Sequence, residues 1–446
     1  MNDTGSTVEK FLPFMKMAAP LSERWKLLAF DGEMTDEMVE LLQSPAPNLE
    51  SLLVSSWDNI GVGFVTLELG EGRNIRCLDI DNIAVPWSST RLRGLRAVQI
   101  QRLNGILPSL NELYAMLASS PELWWLQLSN WVSFDDGAAL SSESLDIHIR
   151  PIAFSFLTTI VLHQIPTAVT QFLLSSIAAP ACECAIVQEV PLSLLNNPTS
   201  AGTFAGLINS ALEVIPTFLL ECRKDLGVIS ILSQPRTIKT YGWIDHVDER
   251  PGLDVHLPIE GLSRAQLGSF LSLLNLPDNV ELVSDTDGVD WELSKSLLSV
   301  GWHRVPKLKV SGSLASRLVC EQLGNLPTSM AYQNRLQSFS STFDPDIVLS
   351  NVIDSIARNI VTYVERTCTR SDKGRQELPS GSSGKPDHEK LEIEMPRILV
   401  QTLREPLQNW DIQLSEFEQG SGQEVDNGRS ASSWLPSDFE SLELNG

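Results

Sequence analysis

Asp79-Ile80-Asp81 places two carboxylates one residue apart, on one face of a strand, as divalent-metal sites often do. A two-residue match is common by chance, and it does not by itself predict a metal. Asp285-Thr286-Asp287-Gly288-Val289-Asp290-Trp291-Glu292 has the acidic spacing of a calcium loop at first sight. Its glycine stands fourth rather than sixth and the twelfth residue is Ser296, so a turn followed by an Asp290 helix cap fits better. Cys182 and Cys184 would face the same side of a strand, but no second pair or nearby histidine completes a zinc site, which points to core packing. None of the six histidines (His148, His163, His246, His256, His303, His388) lies beside a serine or cysteine in a nucleophile motif. Gly61-Val62-Gly63-Phe64 lacks the third glycine of a dinucleotide fingerprint, and no Gly-x-Ser-x-Gly or P-loop occurs. The expectation is a protein without catalytic residues, cofactor or metal.

Composition narrows the partners. The 446 residues are 42% hydrophobic, enough for a sizeable core, and carry a formal charge of −23. No Lys/Arg-rich face is evident in the sequence, which argues against nucleic acid, and the acidity disfavours anionic membranes. Pro151 to Cys182 contains no Asp, Glu, Lys or Arg, yet Gln164, Pro166 and Thr167 break its middle. A buried strand followed by a helix is expected there rather than a membrane span. Lys10 and Lys16 interrupt the short apolar N-terminal stretch, so no signal peptide is expected. With six scattered cysteines, this suits a reducing compartment, cytoplasmic or nuclear.

The elements that must position any site come from a repeat. A six-residue pattern has apolar residues at positions one, four and six: Trp25, Leu28, Phe30; Leu49, Leu52, Val54; Ile75, Leu78, Ile80; Leu95, Val98, Ile100; Leu123, Leu126, Leu128; Leu157, Ile160, Leu162. A weaker copy is Cys182, Ala185, Val187. The starts are 24, 26, 20, 28, 34 and 25 residues apart. Between strands, Ser109-Leu110-Asn111-Glu112 reads as a capping box opening a helix whose Leu110, Leu113 and Leu117 share a face. The order helix, proline, short strand recurs at Met38 to Leu49 and at Val169 to Cys182. One such unit cannot cover its own apolar face, so neighbours must stack.

Further along, Thr203 to Lys224 reads as one helix, kinked or ended near Pro216. Ser263-Arg264-Ala265-Gln266 is a second capping box, and Val280, Val283 and Val305, Leu308, Val310 look like strands 25 residues apart. Asp346 to Glu365 reads as an amphipathic helix that seals the array. Ser371 to Lys390 reads as a linker, and from residue 371 on there are 15 Asp/Glu against 7 Lys/Arg. Leu399, Leu403 and Leu407 suit a short docking helix. Phe439, Leu442 and Leu444 repeat the one-four-six spacing, either by chance or as the start of an incomplete repeat. The expected division is a capping helix over 1–24, a repeat array over 25–310, a helical cap over 311–369 and a flexible acidic tail over 370–446.

Positions three, five and seven of each strand should alternate with the buried ones and line the opposite face. The middle strands then present Asp79, Asp81, Gln99, Gln101, Trp125 and Gln127 together. Carboxylates, amides and an exposed aromatic are the composition of a protein-recognition patch.

Pro121-Glu122-Leu123-Trp124-Trp125-Leu126-Gln127-Leu128 and Pro47-Asn48-Leu49-Glu50-Ser51-Leu52-Leu53-Val54 resemble leucine-rich-repeat proteins, in particular the repeat regions of fungal F-box-like proteins. The resemblance covers about residues 20 to 310. It implies an α/β solenoid with a curved parallel sheet and outer helices, binding another protein and serving as a substrate-recognition subunit of a cullin-type ubiquitin ligase. Two departures stand out. The repeat consensus places Asn or Cys where this chain has Glu33, Trp57, Ile83, Leu103, Trp131 and Ile165, and nothing before Trp25 matches an F-box. The alternatives are a structural or regulatory repeat protein unconnected to ubiquitin, and an enzyme whose site carries no motif.

Overall fold

The computed structural model describes residues 7–56, 66–103, 107–131, 151–215, 217–223, 228–233, 240–241, 244–245, 252–258, 260–275, 279–284, 307–311, 313–325, 338–342, 350–374, 391–395, 397–408 and 412–416. The chain runs through α1 (Thr7–Ala18), a 3-10 helix (Ala19–Arg24), β1 (Leu27–Gly32), α2 (Asp36–Leu42), β2 (Ser51–Ser56) and β3 (Cys77–Asp81). A second 3-10 helix (Thr90–Leu92), β4 (Ala97–Gln101), α3 (Leu110–Ala118), β5 (Trp125–Ser129) and β6 (Ile152–Ala153) follow. Next come β7 (Thr159–His163), α4 (Thr167–Ser176), β8 (Ile177–Ala178), β9 (Cys184–Val187), α5 (Leu192–Asn196) and α6 (Pro198–Val214). Then β10 (Thr217–Arg223), β11 (Val228–Leu232), β12 (Thr240–Tyr241), β13 (Ile244–Asp245), β14 (Gly252–Pro258) and α7 (Arg264–Leu271). The last are β15 (Asn279–Ser284), β16 (Lys307–Ser311), α8 (Ser313–Asn325), β17 (Ser338–Thr342), α9 (Ser350–Gly374), β18 (Leu391–Met395), α10 (Arg397–Leu407) and β19 (Ile412–Glu416).

Fifteen strands form one open sheet in the order β1-β2-β3-β4-β5-β7-β9-β14-β11-β10-β15-β16-β17-β18-β19, with no closure into a barrel. Every pairing is parallel except those of β11, which runs antiparallel to both β14 and β10. The architecture is mixed α/β. No helix among the described residues is long and apolar enough to cross a membrane, and the uncharged stretch at 151–182 divides into strands and α4.

From β1 to β9 the strands pair residue for residue along the repeat: Leu28 with Leu52, Leu52 with Leu78, Leu78 with Val98, Val98 with Leu126, Leu126 with Ile160 and Ile160 with Ala185. Positions one, four and six enter one continuous core with helix residues such as Met38, Leu113, Leu117, Phe172 and Leu173. Ser109–Glu112 and Ser263–Gln266 close their capping boxes.

Five strands, β3, β4, β5, β7 and β9, are followed by a shared device. Asn82, Arg102, Asn130, Gln164 and Glu189 all occupy position eight and all have positive φ, between 44° and 63°. A side chain in this left-handed conformation costs about 1–2 kcal/mol. The amides of Asn82, Arg102 and Asn130 still donate to the neighbouring strand's position-seven carbonyls, on Gln101, Ser129 and His163. The reversal then turns position nine inward, so Ile83, Leu103, Trp131 and Ile165 are buried where the regular consensus has a polar ladder. Trp131 Nε1 donates to the Ile100 carbonyl at 3.2 Å, a single polar contact in that apolar row.

The loops that lead into β2 and β3 are held by one cation from the second 3-10 helix. Arg91 is 3% exposed and donates from Nε to Arg73 O at 2.9 Å and from one terminal nitrogen to Leu69 O. Its other terminal nitrogen donates to Ala46 O at 3.0 Å and Leu49 O at 3.2 Å.

Several expectations need correction. The helix read over Thr203 to Lys224 ends at Val214, and Thr217–Arg223 forms a strand. Sheet pairing outweighs local helical spacing once a proline interrupts the chain. Val280 pairs with Leu308, not with Val305, so that repeat is 28 residues long and the 25-residue register is off by three. The sheet does not stop at Val310: β17, β18 and β19 extend it, so α9 is not a terminal seal. The tail expected over 370–446 loses Leu391–Glu416 to the sheet and α10, whose Leu399, Leu403 and Leu407 are buried. α9 also runs to Gly374, into the stretch read as a linker. Cys182 joins the main core, whereas Cys184 packs with Val161 and Ile186 on the other face, because Cys182 precedes the strand. The calcium-like segment at 285–292 and Gly61–Phe64 lie outside the described residues.

Two substitutions test these devices by urea denaturation. Arg91→Met removes the guanidinium from four carbonyls, of which Ala46 O keeps the Leu49 amide, and should cost about 3 kcal/mol. A loss below about 1 kcal/mol would show that water replaces the guanidinium. Asn130→Val should cost about 2 kcal/mol, while Asn130→Gly stays within about 1 kcal/mol of the parent.

Candidate functional site

The in-register stack brings all six sequence-predicted residues onto one face of β3, β4 and β5. Asp79 pairs with Gln99, and Gln99 with Gln127. One step further, Asp81 pairs with Gln101, and Gln101 with Ser129. Trp125 stands opposite Ala97 and Thr159, its ring edge-on to Trp124 at 5.8 Å.

Exposure differs from expectation. Asp81 (7%), Gln101 (5%) and Gln127 (2%) are buried, and only Asp79, Gln99 and Trp125 are half-buried. The left-handed turn at position eight bears on Asp81. From that turn Arg102 reaches back to Asp81, with Nε and a terminal nitrogen each 2.6 Å from a separate carboxylate oxygen. This forked pairing holds the Arg102 proton more tightly than usual, chiefly through the hydrogen bond to Asp81.

Two groups beside it are not satisfied. Gln101 Nε2 and Ser129 Oγ are buried without a hydrogen-bond partner. Asp79 has a different problem. Burial, and then the neighbouring Asp81 charge, push its carboxyl up to about 7. Near neutral pH it can therefore offer either a carboxylate or an O–H to whatever lies over it.

Beyond β5 the same face turns apolar through Val161, Cys184 and Ile186, then polar again. Asp254 and His256 on β14 lie there, with Ser230 opposite His256 on β11. Sequence reasoning missed this grouping, although Leu253, Val255 and Leu257 alternate with Asp254 and His256 in a clear strand period. His256 Nε2 is 2.9 Å from Asp254 Oδ1, close enough to pair when protonated, yet without hydrogen-bond alignment. Ser230 Oγ is fully buried and unpartnered, so it lacks the base contact a nucleophile requires. Among the described residues no three His, Cys, Asp or Glu side chains form a group able to hold a metal ion, and Asp81 is engaged by Arg102.

The sequence matches no protein-family model and no curated protein.

The Asp79 carboxyl sets a pH dependence. In the unfolded chain it ionises near 3.8, in the folded chain near 7. Between those values the folded state holds the extra proton, so its contribution to stability is full below pH 3.8 and falls as pH rises to about 7. At about 1.4 kcal/mol per pH unit the upper bound is about 4 kcal/mol. Asp79→Asn should flatten the stability profile across this interval and raise stability at pH 8, measured by urea denaturation at stepped pH. An unchanged slope would mean that the carboxyl titrates normally.

Proposed function

We propose that the chain is an irregular leucine-rich-repeat solenoid that binds a partner protein over the face of β3, β4 and β5, without catalysing a reaction. The single observation that carries this reading is the set of half-buried side chains Asp79, Gln99 and Trp125, which the register gathers on one face of three adjacent strands. Asp79 and Gln99 offer a carboxyl and an amide to a partner's polar atoms, and a half-buried tryptophan suits the centre of such a contact.

The solenoid reading is supported by seven strands in one register, with positions one, four and six in the core and a left-handed step after five of them. In this reading residues 417–446, with six acidic residues and one arginine, are an acidic extension beyond the repeats. The resemblance to fungal F-box-like repeat regions extends the proposal to a substrate-recognition role in a cullin-type ubiquitin ligase.

Asp79→Arg/Gln99→Arg tests the face directly, since both side chains are half-buried rather than in the core, with an unchanged melting temperature required to show that the variant folds. Proteins captured by the parent chain at native expression should be lost from this variant and kept by Arg404→Gln on α10. An unchanged set of partners would overturn the proposal. Consistent absence of a cullin complex from the captured proteins would remove the ubiquitin-ligase role alone.

A further inference from the structure

The start of the strands carries a second site, unrelated to the face described above. The sequence has no evident basic face, but stacking brings two Arg-x-x-Arg segments together. Arg73 and Arg76 precede β3, Arg93 and Arg96 precede β4, and the Arg96 amide donates to the Arg76 carbonyl. The four side chains line an open groove of about 530 Å³. That is a usual size for a ligand site.

Two of the arginines are held by carboxylates. Glu50 lies 3.4 Å from Arg73, and Glu122 accepts from Arg96 Nε at 3.0 Å and from a terminal nitrogen at 2.8 Å. Arg76 and Arg93 are exposed and have no carboxylate within ion-pair distance among the described residues. The lining therefore carries four positive charges against two negative ones, a net +2 on a chain of −23.

We propose that this groove binds an anionic peptide segment of another protein, with two acidic side chains taken by Arg76 and Arg93. Guanidinium forks match carboxylate and phosphate oxygens in pairs. Arg76 stands beside Arg96 in the stack and Arg93 lies three residues before Arg96, so the two free forks are diagonal across neighbouring repeats, and a segment with two charges a few residues apart can meet both. Glu50 and Glu122 flank the positive zone, on a chain that is acidic as a whole. A long polyanion would run onto repulsive charge, which favours a short acidic stretch over nucleic acid.

Fluorescence polarisation on the full chain at low ionic strength tests this, since exposed pairs are screened by salt. The probes are labelled eight-residue peptides bearing two glutamates, two phosphoserines or two glutamines two residues apart. Either anionic peptide should bind saturably, the tighter one naming carboxylate or phosphate as the source, and the glutamine peptide at least tenfold more weakly. Arg76→Gln/Arg93→Gln should weaken anionic binding tenfold or more with unchanged thermal melting, and Arg404→Gln by less than twofold. Failure of both anionic peptides to bind, or equal binding by the double variant, overturns the site. Equal or tighter binding of an oligonucleotide of matched charge overturns the choice of peptide. Tenfold tighter binding after truncation at Glu416 would make the chain's own acidic extension the occupant and overturn the partner.

Discussion

One carbonyl at the start of each strand sets the register of the first half of the molecule. Lys26 O accepts from the amides of Glu50 and Ser51, Glu50 O from Arg76 and Cys77, and Arg76 O from Arg96 and Ala97. Arg96 O then accepts from Trp124, Trp124 O from Thr158 and Thr159, Thr158 O from Glu183 and Cys184, and Glu183 O from Gly252. A slip of one residue would turn every apolar side chain to the other face. The shared carbonyl at one end and, from β3 to β9, the left-handed residue at the other hold the strands against that slip. The Asp79, Gln99 and Gln127 row and the Arg76–Arg96 juxtaposition are both consequences of this register.

The two ends of the strands impose opposite electrostatics. At the start, guanidinium groups gather and are only partly neutralised by Glu50 and Glu122. On the face and at the far end, Asp79 sits beside an Asp81 that Arg102 has already engaged, and it is left to hold a proton near neutral pH. Arg91, between these regions, spends its charge on backbone carbonyls and is unavailable to either.

Much of this was legible in the sequence where the pattern is strong. Apolar residues at positions one, four and six placed the strands from Trp25 to Val187 in the register observed, and the capping boxes at Ser109 and Ser263 marked real helix starts. The rest was hidden for physical reasons. Asn82 and Asn130 are residues that tolerate positive φ, but Arg102, Gln164 and Glu189 give no such sign, and only their shared position in the repeat identifies them. β10 reads as helix because Phe218, Leu219, Leu220 and Cys222 suit either period, and pairing with β11 and β15 decides between them. The arginine groove joins residues 20 apart in sequence, so it exists only after stacking. The engagement of Asp81 by Arg102 depends on a turn that no spacing rule announces.

The register is the central claim, and cysteine cross-linking on the exposed side of the first two strands tests it most directly. Ala29 pairs with Leu53, and neighbouring strands place such partners about 5 Å apart, within reach of a disulfide, whereas a two-residue offset exceeds about 7 Å. The Ala29→Cys/Leu53→Cys chain should close an internal disulfide on mild oxidation, mapped by mass spectrometry, and the Ala29→Cys/Ser55→Cys chain should not. Preferential closure of the offset pair, or closure of neither, would contradict the register and every surface built on it.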